Sequence, residues 1–490
     1  MPTDYNLQAQ IAYLSWVAAG DAEIESRIRV VRDYAAGKHP VFLTDRQKEF
    51  IGLQSRSATN LFSHNMCALV IDCLVERLEV MGFAAALEGE DGGDLSEQVK
   101  VWWEHNRMDA GQDDVYGAAA RDGIAYLVVD WDATTGMPVW AINAAYDGTQ
   151  GVKTYDDPNT GALLFAAKKW QLADPFNSAN NGRTRLTLYF PDRIEKYIST
   201  RGSNAGVGGT IWEPWQDAGD TTWPIVWKNE QGPLGMAVIP FANPGGSEIE
   251  QIIHIQDALN KADVDLLATS DAAGFRILYA AGVTGSIDPA TGKEKSLTIS
   301  PGQMLKIADP AGRLGAIEPV DPALLIRASK YWIEVIAGLS RTPQYLFQAM
   351  GGDQPSGASL KEQEIGLVYK AERRQRLWGN AWEDAITLSA RLHNLNRPGE
   401  QLGIVRMSAQ WKAATTPSDP VAQRLVEGQA REAQVKSGLP LKTALRIEGW
   451  SDEELAQMAT DKATEDTDSA NSLGAAMAEA ARRSAQGGEI

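Results

Sequence analysis

Cysteine is almost absent from this sequence. The 490-residue chain contains two cysteines, Cys67 and Cys73, and both lie in one predicted helix. Because they are six residues apart, they fall on different faces of that helix, which argues against a disulfide or a shared metal site. We expect two buried thiols that pack as small apolar side chains, as is usual in a reducing compartment.

Long apolar runs and a targeting segment are also missing. No stretch of about 18 consecutive apolar residues occurs, so we expect no membrane-spanning helix and no membrane partner. The first residues, Met1-Pro2-Thr3-Asp4-Tyr5, lack a basic region followed by an apolar core. This segment therefore does not resemble a secretory signal.

Positive charge is in deficit. Lys and Arg number 46 against 64 Asp and Glu, which gives a formal net charge of −18 and a pI near 4.8. A protein that holds DNA by neutralising its phosphates needs clustered cations, and this balance argues against one. The charge is compatible with a conduit along which DNA slides without sticking, and equally with a protein that never meets nucleic acid.

The motifs of common enzyme classes are missing as well. Gly292-Lys293 resembles the end of a phosphate-binding loop, but Glu294 replaces the Ser or Thr that holds magnesium, and Ile287 replaces the first glycine. No Gly-x-Ser-x-Gly nucleophile elbow occurs. The histidines, which lack the spacing of metal ligands, are His39, His64, His105, His254 and His393. We expect a non-enzymatic chain with no catalytic residue, metal or cofactor.

Hydrophobic periodicity predicts a mixed α+β fold. The predicted helices span 6–35, 44–83, 95–122, 248–273, 321–339 and 356–395, with shorter helices between 416 and 460. The predicted strands are a hairpin at 125–131 and 137–142, then 163–170, 184–190, 193–199 and 223–228. Asp130 and Asp132 stand at the end of the hairpin. We assign them to turn chemistry rather than to metal binding.

A mostly uncharged loop, residues 341–355, separates two of these helices. Pro343 disfavours a helical Thr342, and Ser359 with Glu362 forms a capping box that begins the next helix. That helix would be roughly 60 Å long at 1.5 Å per residue. A loop of this length inside a domain is usually functional.

Two clusters allow more than one interpretation. A tryptophan-rich segment, which could stack on sugars or bases but fits the core of a small β domain better, contains Trp212, Trp215, Trp223 and Trp227. The densest set of cations is Lys370, Arg373, Arg374 and Arg376. These side chains could bind phosphate, but acidic residues on the same helix offset their charge. We favour ion pairs between helices or subunits for these cations.

Several segments, in order, resemble phage portal proteins of the SPP1 type. The resemblance rests on Arg32-Asp33-Tyr34 to Pro40, Asn65 to Val70, Arg77-Leu78, Gly82-Phe83, Asp122 to Val129, Pro240 to Asn243, Ile255 to Lys261, and the loop from Thr342-Pro343 to Ser356-Gly357 and Leu360-Lys361. The element order agrees with it independently, because two helices flank a β-like insert and a loop and a very long helix follow.

The resemblance implies a portal fold with an α/β wing, a two-helix stem, a small β-rich clip, a long kinked wing helix and a helical crown. The implied regions are wing 1–245, stem helices 246–273 and 321–340, clip 274–320, tunnel loop 341–355, wing helix and following segment 356–416, and crown 417–460. Residues 461–490 are polar and Ala-rich, which favours a disordered tail.

The resemblance also implies a dodecameric ring at one capsid vertex of the virion, assembled in the host cytoplasm. Double-stranded DNA would pass through it without sequence-specific contacts, and terminase, a head-tail adaptor, the major capsid protein and a scaffolding protein would bind it. The candidate contact residues are Thr342, Gln344, Gln348, Met350, Asp353 and Gln354 in the tunnel loop, Arg327 and Lys330 on the stem, and Arg276, Tyr279, Lys293, Lys295 and Lys306 in the clip.

Two other classes stay open at this stage. A packaging nuclease or ATPase is disfavoured by the missing phosphate loop and by carboxylates that do not cluster. A carbohydrate-binding tail component is suggested by the tryptophan-rich segment. A nucleotide-hydrolysis assay separates the first class from a portal, and an image of a ring with a central hole separates the second.

Overall fold

The computed structural model of the chain describes residues 22–40, 64–85, 93–173, 180–199, 212–217, 219–274, 277–281, 313–317, 321–347, 357–415, 428, 431–447, 455, 458, 460 and 462. The chain divides into two compact units, Met1–Trp411 and Lys412–Ile490. Helices and strands are mixed along it, which confirms the α+β class.

The helices of the described residues are α1 (Ala22–Ala35), α2 (Met66–Val75), α3 (Gly93–His105), α4 (Met108–Asp122), α5 (Ile253–Gly274), α6 (Pro322–Ser340), α7 (Gly357–Asn396) and α8 (Leu441–Ile447). Short 3-10 turns at Glu250–Ile252 and Gln344–Phe347 precede α5 and follow α6. The second unit contains α8. The other helices named here belong to the first unit.

The strands are β1 (Val80–Ala85), β2 (Ile124–Asp132), β3 (Met137–Ala144), β4 (Gly151–Asp156), β5 (Leu163–Gln171), β6 (Thr184–Tyr189), β7 (Arg193–Ser199), β8 (Trp212–Pro214), β9 (Ile225–Val226), β10 (Lys228–Asn229), β11 (Gly232–Pro233), β12 (Val238–Ala242), β13 (Ile277–Ala281), β14 (Arg313–Ile317) and β15 (Met407–Trp411). Every pairing between them is antiparallel.

The two larger sheets of the first unit pack against each other, and the other strand pairs, β1-β15, β10-β11 and β13-β14, form two-stranded ribbons. A three-stranded sheet, β12-β2-β3, packs Tyr126, Val128 and Val238 against Val152 and Ala166 of a sheet with the order β4-β5-β6-β7-β8. The opposite face of the larger sheet is also apolar and is covered by side chains of the tryptophan-rich segment. Because both faces of β5 are covered, three consecutive residues of this strand, Phe165, Ala166 and Ala167, are apolar and buried.

The turn that leads from α4 into β2 requires glycine. Gly123 has a φ of 87°, a left-handed conformation that ends α4, and its amide donates to the Ala119 carbonyl. A Cβ at this position would lie 2.9 Å from the carbonyl carbon of Gly246. The turn therefore lets the segment that precedes α5 approach the end of α4 closely.

Tryptophans bury α7 in the first unit. Trp378 and Trp382 are fully buried, and their indole nitrogens donate to the Ala242 carbonyl at 3.0 Å and to the Tyr116 hydroxyl at 2.8 Å. Tyr116 also stacks on Trp378 with ring centroids 5.2 Å apart. Pairing of each buried polar atom removes its desolvation penalty. The aromatic rings thus fix α7 against α4 and β12.

The helices α5 and α6 lie side by side, and β13 and β14 pair with each other between them in sequence. Asp321 caps α6 by accepting a hydrogen bond from the Ala323 amide at 2.9 Å, with proline at the first helical position. Across the helix pair, the Ser329 hydroxyl donates to Asp263 at 2.7 Å. We call α5, β13, β14 and α6 the helical arm.

Buried amides join α5 to the ends of α1 and α2. Gln256 accepts a hydrogen bond from the Met66 amide at 3.0 Å and donates to the His64 carbonyl at 2.7 Å. Asn260 donates to Nδ1 of His39 at 2.9 Å and accepts from the His64 amide at 3.2 Å. Gln256 and Asn260 are 0% and 1% exposed, so no solvent competes for these bonds.

Two predicted helices are shorter than expected. The helix predicted over 44–83 ends at Val75, and residues 80–85 form β1, in which Gly82 and Phe83 pair with Gln410 and Ala409. This prediction was wrong because a partner strand from the far end of the unit overrides the local helical pattern. Residues 44–63 lie outside the described part.

The helix predicted over 95–122 is broken into α3 and α4. Arg107 adopts a left-handed φ of 55°, and the Asn106 side chain accepts a hydrogen bond from the Trp140 amide at 2.7 Å and donates to the Pro138 carbonyl at 3.0 Å. Docking on β3 therefore ends α3. The capping box was also wrong, because α7 already begins at Gly357, before Ser359.

Most of the remaining predicted elements agree with the structure where it describes them, whereas residues 6–21 of the first predicted helix and much of 416–460 lie outside the described residues. The hairpin, the strands near 163, 184 and 193, and helices α5, α6 and α7 are confirmed. The strand predicted over 223–228 is split into β9 and the start of β10, and β4 and β12 were not predicted. Asp132 accepts hydrogen bonds from the Thr134 amide and the Thr135 hydroxyl, which confirms its turn role.

We predict that N260A lowers the free energy of unfolding by about 2 kcal/mol, because it leaves the buried His39 ring and the His64 amide without the Asn260 side chain. Urea unfolding followed by tryptophan fluorescence measures the loss. The matched control is N159A, since Asn159 is exposed in a turn, and its loss should stay within about 0.5 kcal/mol. Equal losses in the two variants would contradict a structural role for the amide network.

Candidate functional site

The described part of the predicted loop, residues 341–347, and two cations of the predicted cluster, Lys370 and Arg374, lie at one place. There the segment before α5, the end of α6 and the N-terminal half of α7 come together. We call this place the helix junction and define it by Glu248, the residues 340–347, Glu364, Lys370 and Arg374. It lies within the first unit, at the point where the chain leaves the helical arm.

The end of α6 has a left-handed cap. Arg341 has a φ of 56°, and its amide and that of Thr342 donate to the Gly338 and Ala337 carbonyls. This pattern closes a helix, but glycine is the usual residue at the left-handed position. Surrounding contacts must therefore hold Arg341 in a conformation that costs about 1 kcal/mol or more.

The carboxylate of Glu248 lies between two cations of α7. Lys370 Nζ is 2.6 Å from Glu248 Oε2, and Arg374 Nη2 is 2.7 Å from Oε1. All three side chains are less than a tenth exposed. Lys370 Nζ also donates to the Ser340 carbonyl at 3.0 Å. The triad thus joins the segment before α5, the last residue of α6, and α7.

The charge of this triad is stable at neutral pH. Burial disfavours ionisation of Glu248, but the charges and hydrogen bonds of Lys370 and Arg374 outweigh burial and lower the pKa of Glu248 below its ordinary value of 4.5. Glu248 is therefore ionised, and it neutralises one of the two buried cations. This agrees with the preference for ion pairs between helices for Lys370 and Arg374.

A second contact set lies nearer to the start of α7. The Tyr345 hydroxyl donates to Glu364, and Arg77 lies 3.6 Å from the same carboxylate. Gln344 donates to Glu334 of α6 at 3.1 Å. The 3-10 turn after α6 is therefore held by side chains of both α6 and α7.

The predicted tunnel-loop residues divide into two groups. Thr342 is 3% exposed, its backbone amide contributes to the cap, and its side chain is not available at the surface of a single subunit. Gln344 is half-buried and bound to Glu334. The other four, Gln348, Met350, Asp353 and Gln354, lie outside the described residues.

The predicted stem and clip residues are described only in part. Arg327 and Lys330 are both exposed on α6. The backbone of Tyr279 pairs with Gly315 in the β13–β14 ribbon. The remaining clip candidates, Arg276, Lys293, Lys295 and Lys306, lie outside the described residues.

The tryptophan-rich segment is mainly core. Trp212 and Trp227 are buried, and Trp223 packs against the same cluster as Trp212. The guanidinium of Arg185 lies 5.0 Å from the Trp215 ring centroid and pairs with Asp217. A cation already contacts the ring of Trp215 where a sugar or base would stack, so the core interpretation is confirmed for this segment.

Both cysteines are buried free thiols, as expected. Burial raises the pKa of Cys67 to about 12 and that of Cys73 to about 11. Within the described ranges, no group of three His, Cys, Asp or Glu side chains could hold a metal ion. None of the helices in the described part is both long and apolar enough to span a membrane.

Glu248 was the junction residue that the sequence did not single out. Glu248 is the first residue of the predicted helix 248–273. Acidic residues are common at the exposed N-termini of helices, so this position did not indicate a buried carboxylate. The available signal was the spacing of Lys370 and Arg374, four residues apart on one side of α7, because two cations that become buried side by side need a carboxylate.

At this site the described side chains form a structural junction between helices. Comparison with known proteins agrees with that class. The profile of the family described as "Phage portal protein, SPP1 Gp6-like" matches residues 14–468. The chain therefore belongs to the SPP1 Gp6-like family of phage portal proteins, which are structural, non-enzymatic phage components.

Two curated proteins are similar to this chain. The portal protein of Mycobacterium phage D29 is 22% identical over 417 residues, which cover 79% of this chain and 78% of that protein. The portal protein of Mycobacterium phage L5 is 22% identical over 447 residues, which cover 84% of each. The similarity thus extends across most of all three chains.

We predict that E248Q costs about 3–5 kcal/mol of unfolding free energy near neutral pH, because it leaves two buried cations without a carboxylate. E400Q is the control, since Glu400 pairs with Arg397 at the surface with side chains 66% and 37% exposed. Its cost should stay below about 1 kcal/mol. Urea unfolding at fixed pH measures both.

The pKa of Glu248 also predicts how the stability difference between the wild type and E248Q depends on pH. The pKa of Glu248 is lower in the folded protein than in the unfolded chain, so its stabilisation is complete above pH 4.5 and is lost as the pH falls through the folded pKa. The difference between the wild type and E248Q should therefore be constant near neutrality and shrink below pH 4.5. A difference that grows on acidification would contradict an ionised Glu248.

Proposed function

We propose that the chain forms a dodecameric ring at one capsid vertex of the virion and that double-stranded DNA passes through its channel during packaging and ejection. The observation that carries this proposal is the element order of a portal-family chain: the helical arm, then the loop after Phe347, then the 40-residue helix α7. The proposed regions are the stem (246–273 and 321–340), the clip (274–320) and the tunnel loop (341–355).

Exposed apolar side chains support a ring of identical subunits. Leu324 and Tyr331 of α6 are 54% and 55% exposed, and Ile365 and Tyr369 near the start of α7 are 49% and 66% exposed. Leu324 and Tyr331 are seven residues apart, so they lie on one side of α6. Apolar surface left uncovered on neighbouring helices is typical of a contact with another subunit.

A polar side of α6 supports the channel assignment. Arg327, Lys330 and Glu334 are exposed and follow one another at helical spacing, beside the apolar side. Two cations and one anion per subunit would give a channel wall of mixed charge. Such a wall can contact phosphates without retaining them, whereas a purely cationic wall would bind DNA strongly.

The clip is proposed as the docking site for partners. The β13–β14 ribbon is two strands wide, so each strand has one edge that does not pair within this ribbon. Strand addition to such edges gives affinity through backbone hydrogen bonds. Terminase would bind there before packaging and the head-tail adaptor afterwards, while the major capsid and scaffolding proteins would contact the wing.

Ring formation can be tested by mass measurement. We predict that L324E lowers the fraction of subunits in rings at least tenfold, because it places a charge in an apolar contact. The matched control is L164E, since Leu164 is similarly exposed at 51% but belongs to β5. Mass photometry measures the fraction of subunits in rings for both variants. A monomeric wild type at every salt and protein concentration would contradict the ring itself.

The channel can be tested through the loop. Asp353 is the only charged residue between Arg341 and Lys361, so Gln348 lies in an almost uncharged segment. Q348K would repeat a cation around the ring and create many counterion-releasing contacts with DNA. We expect intact rings with impaired packaging, and a defect that eases as salt rises. Normal packaging at low salt would remove Gln348 from the DNA path.

A further inference from the structure

We infer that Lys370 is a positioning residue that couples the base of the helical arm to the tunnel loop. The inference rests on the proposed function, because the tunnel loop is defined there. What it adds is one side chain and its two partners, the Glu248 carboxylate and the Ser340 carbonyl. These partners stand at opposite ends of the arm in sequence, one before α5 and the other at the end of α6.

One ammonium makes both contacts. Its distances are 2.6 Å to Glu248 Oε2 and 3.0 Å to the Ser340 oxygen. Ser340 is 5% exposed, and its carbonyl is among the last of α6, where no helical amide remains to pair with it. A buried cation at that position satisfies the carbonyl and complements the negative end of the helix dipole.

The bond acts where the loop begins. Ser340 directly precedes Arg341, the residue held in a left-handed conformation, and Thr342 follows it as a buried residue. Fixing the Ser340 carbonyl fixes the peptide plane that enters this cap. The direction in which the chain leaves α6 toward the loop is therefore set by Lys370 from outside α6.

Through Glu248, the Lys370 ammonium also links the direction in which the chain leaves α6 to the base of the helical arm. A shift of α5 that moves Glu248 displaces the Lys370 ammonium, which also binds the Ser340 carbonyl. Because both contacts share one nitrogen, a displacement that follows one partner lengthens the distance to the other. By thermodynamic reciprocity, a change in the left-handed cap at Arg341 alters the free energy of the contact between Lys370 and Glu248 by the same amount.

Arg374 provides a built-in comparison. It lies one helical turn after Lys370 and binds the other oxygen of the same carboxylate at 2.7 Å, and it is buried to the same degree. The Ser340 bond belongs to Lys370. Variants of the two residues therefore remove the same kind of ion pair and differ in their effect on Ser340.

The experiment compares K370M with R374M by hydrogen exchange of the full-length protein. The reporters are the amides of Arg341, Thr342 and Leu346, which are all hydrogen-bonded within the cap and the following turn. We expect exchange at these amides to rise about tenfold in K370M and less than twofold in R374M, relative to wild type. Both variants should lower the thermal midpoint similarly.

Equal exchange in the two variants, or wild-type exchange in K370M, would overturn the inference and leave Lys370 as an ordinary ion pair. If the methionine variants fail to fold, K370Q and R374Q supply the same comparison with a donor retained. Glutamine is one bond shorter than lysine and cannot span both oxygens, so the same asymmetry is expected, and equal exchange again overturns it.

A packaging assay on rings of K370M and R374M then separates this inference from the proposed function. Impaired packaging in K370M alone supports the coupling. Equal packaging despite the asymmetric exchange overturns its link to DNA passage. The ring and the channel are tested independently, by the wild-type mass measurement and by Q348K, so either can fail without the exchange result changing.

Discussion

The helical arm depends on the ion pairs that the buried carboxylate of Glu248 makes with α7. This carboxylate meets two cations of α7 in the interior, and without it both would be buried charges that lack a carboxylate partner there. Its position before α5, rather than on α7, means that the ion pairs join segments of the chain that are distant in sequence. The long helix thereby becomes the element against which both ends of the arm are fixed.

Aromatic packing provides the rigid part of this arrangement. Trp378 and Trp382 anchor the middle of α7 among α4 and β12, immediately C-terminal to the residues that hold the arm. The amides of Gln256 and Asn260 anchor α5 to the ends of α1 and α2. The arm is thus held by directional polar contacts in addition to buried apolar side chains such as Leu259 and Ile336, while aromatic burial dominates the middle of α7.

This combination of contacts suits the channel that we propose for the chain. Apolar packing is dense and tolerates little displacement, so it preserves the body of each subunit. Hydrogen bonds and ion pairs have discrete partners and can exchange them, so they are the contacts at which a segment changes position. In this portal-family chain the polar contacts gather at the helix junction, where the loop leaves α6.

The sequence by itself determined the elements that local hydrogen bonding governs. Asp321 and Pro322 marked the start of α6, periodicity marked α5 and α7, and Asp132 marked a turn. The ordered segments also indicated the portal family. Only the tertiary structure decided that residues 80–85 form a strand, that Asn106 ends α3, and that Glu248 meets Lys370. The reason is physical: a periodic pattern reports neighbours along the chain, whereas strand pairing and buried charge neutralisation join residues that the sequence keeps far apart.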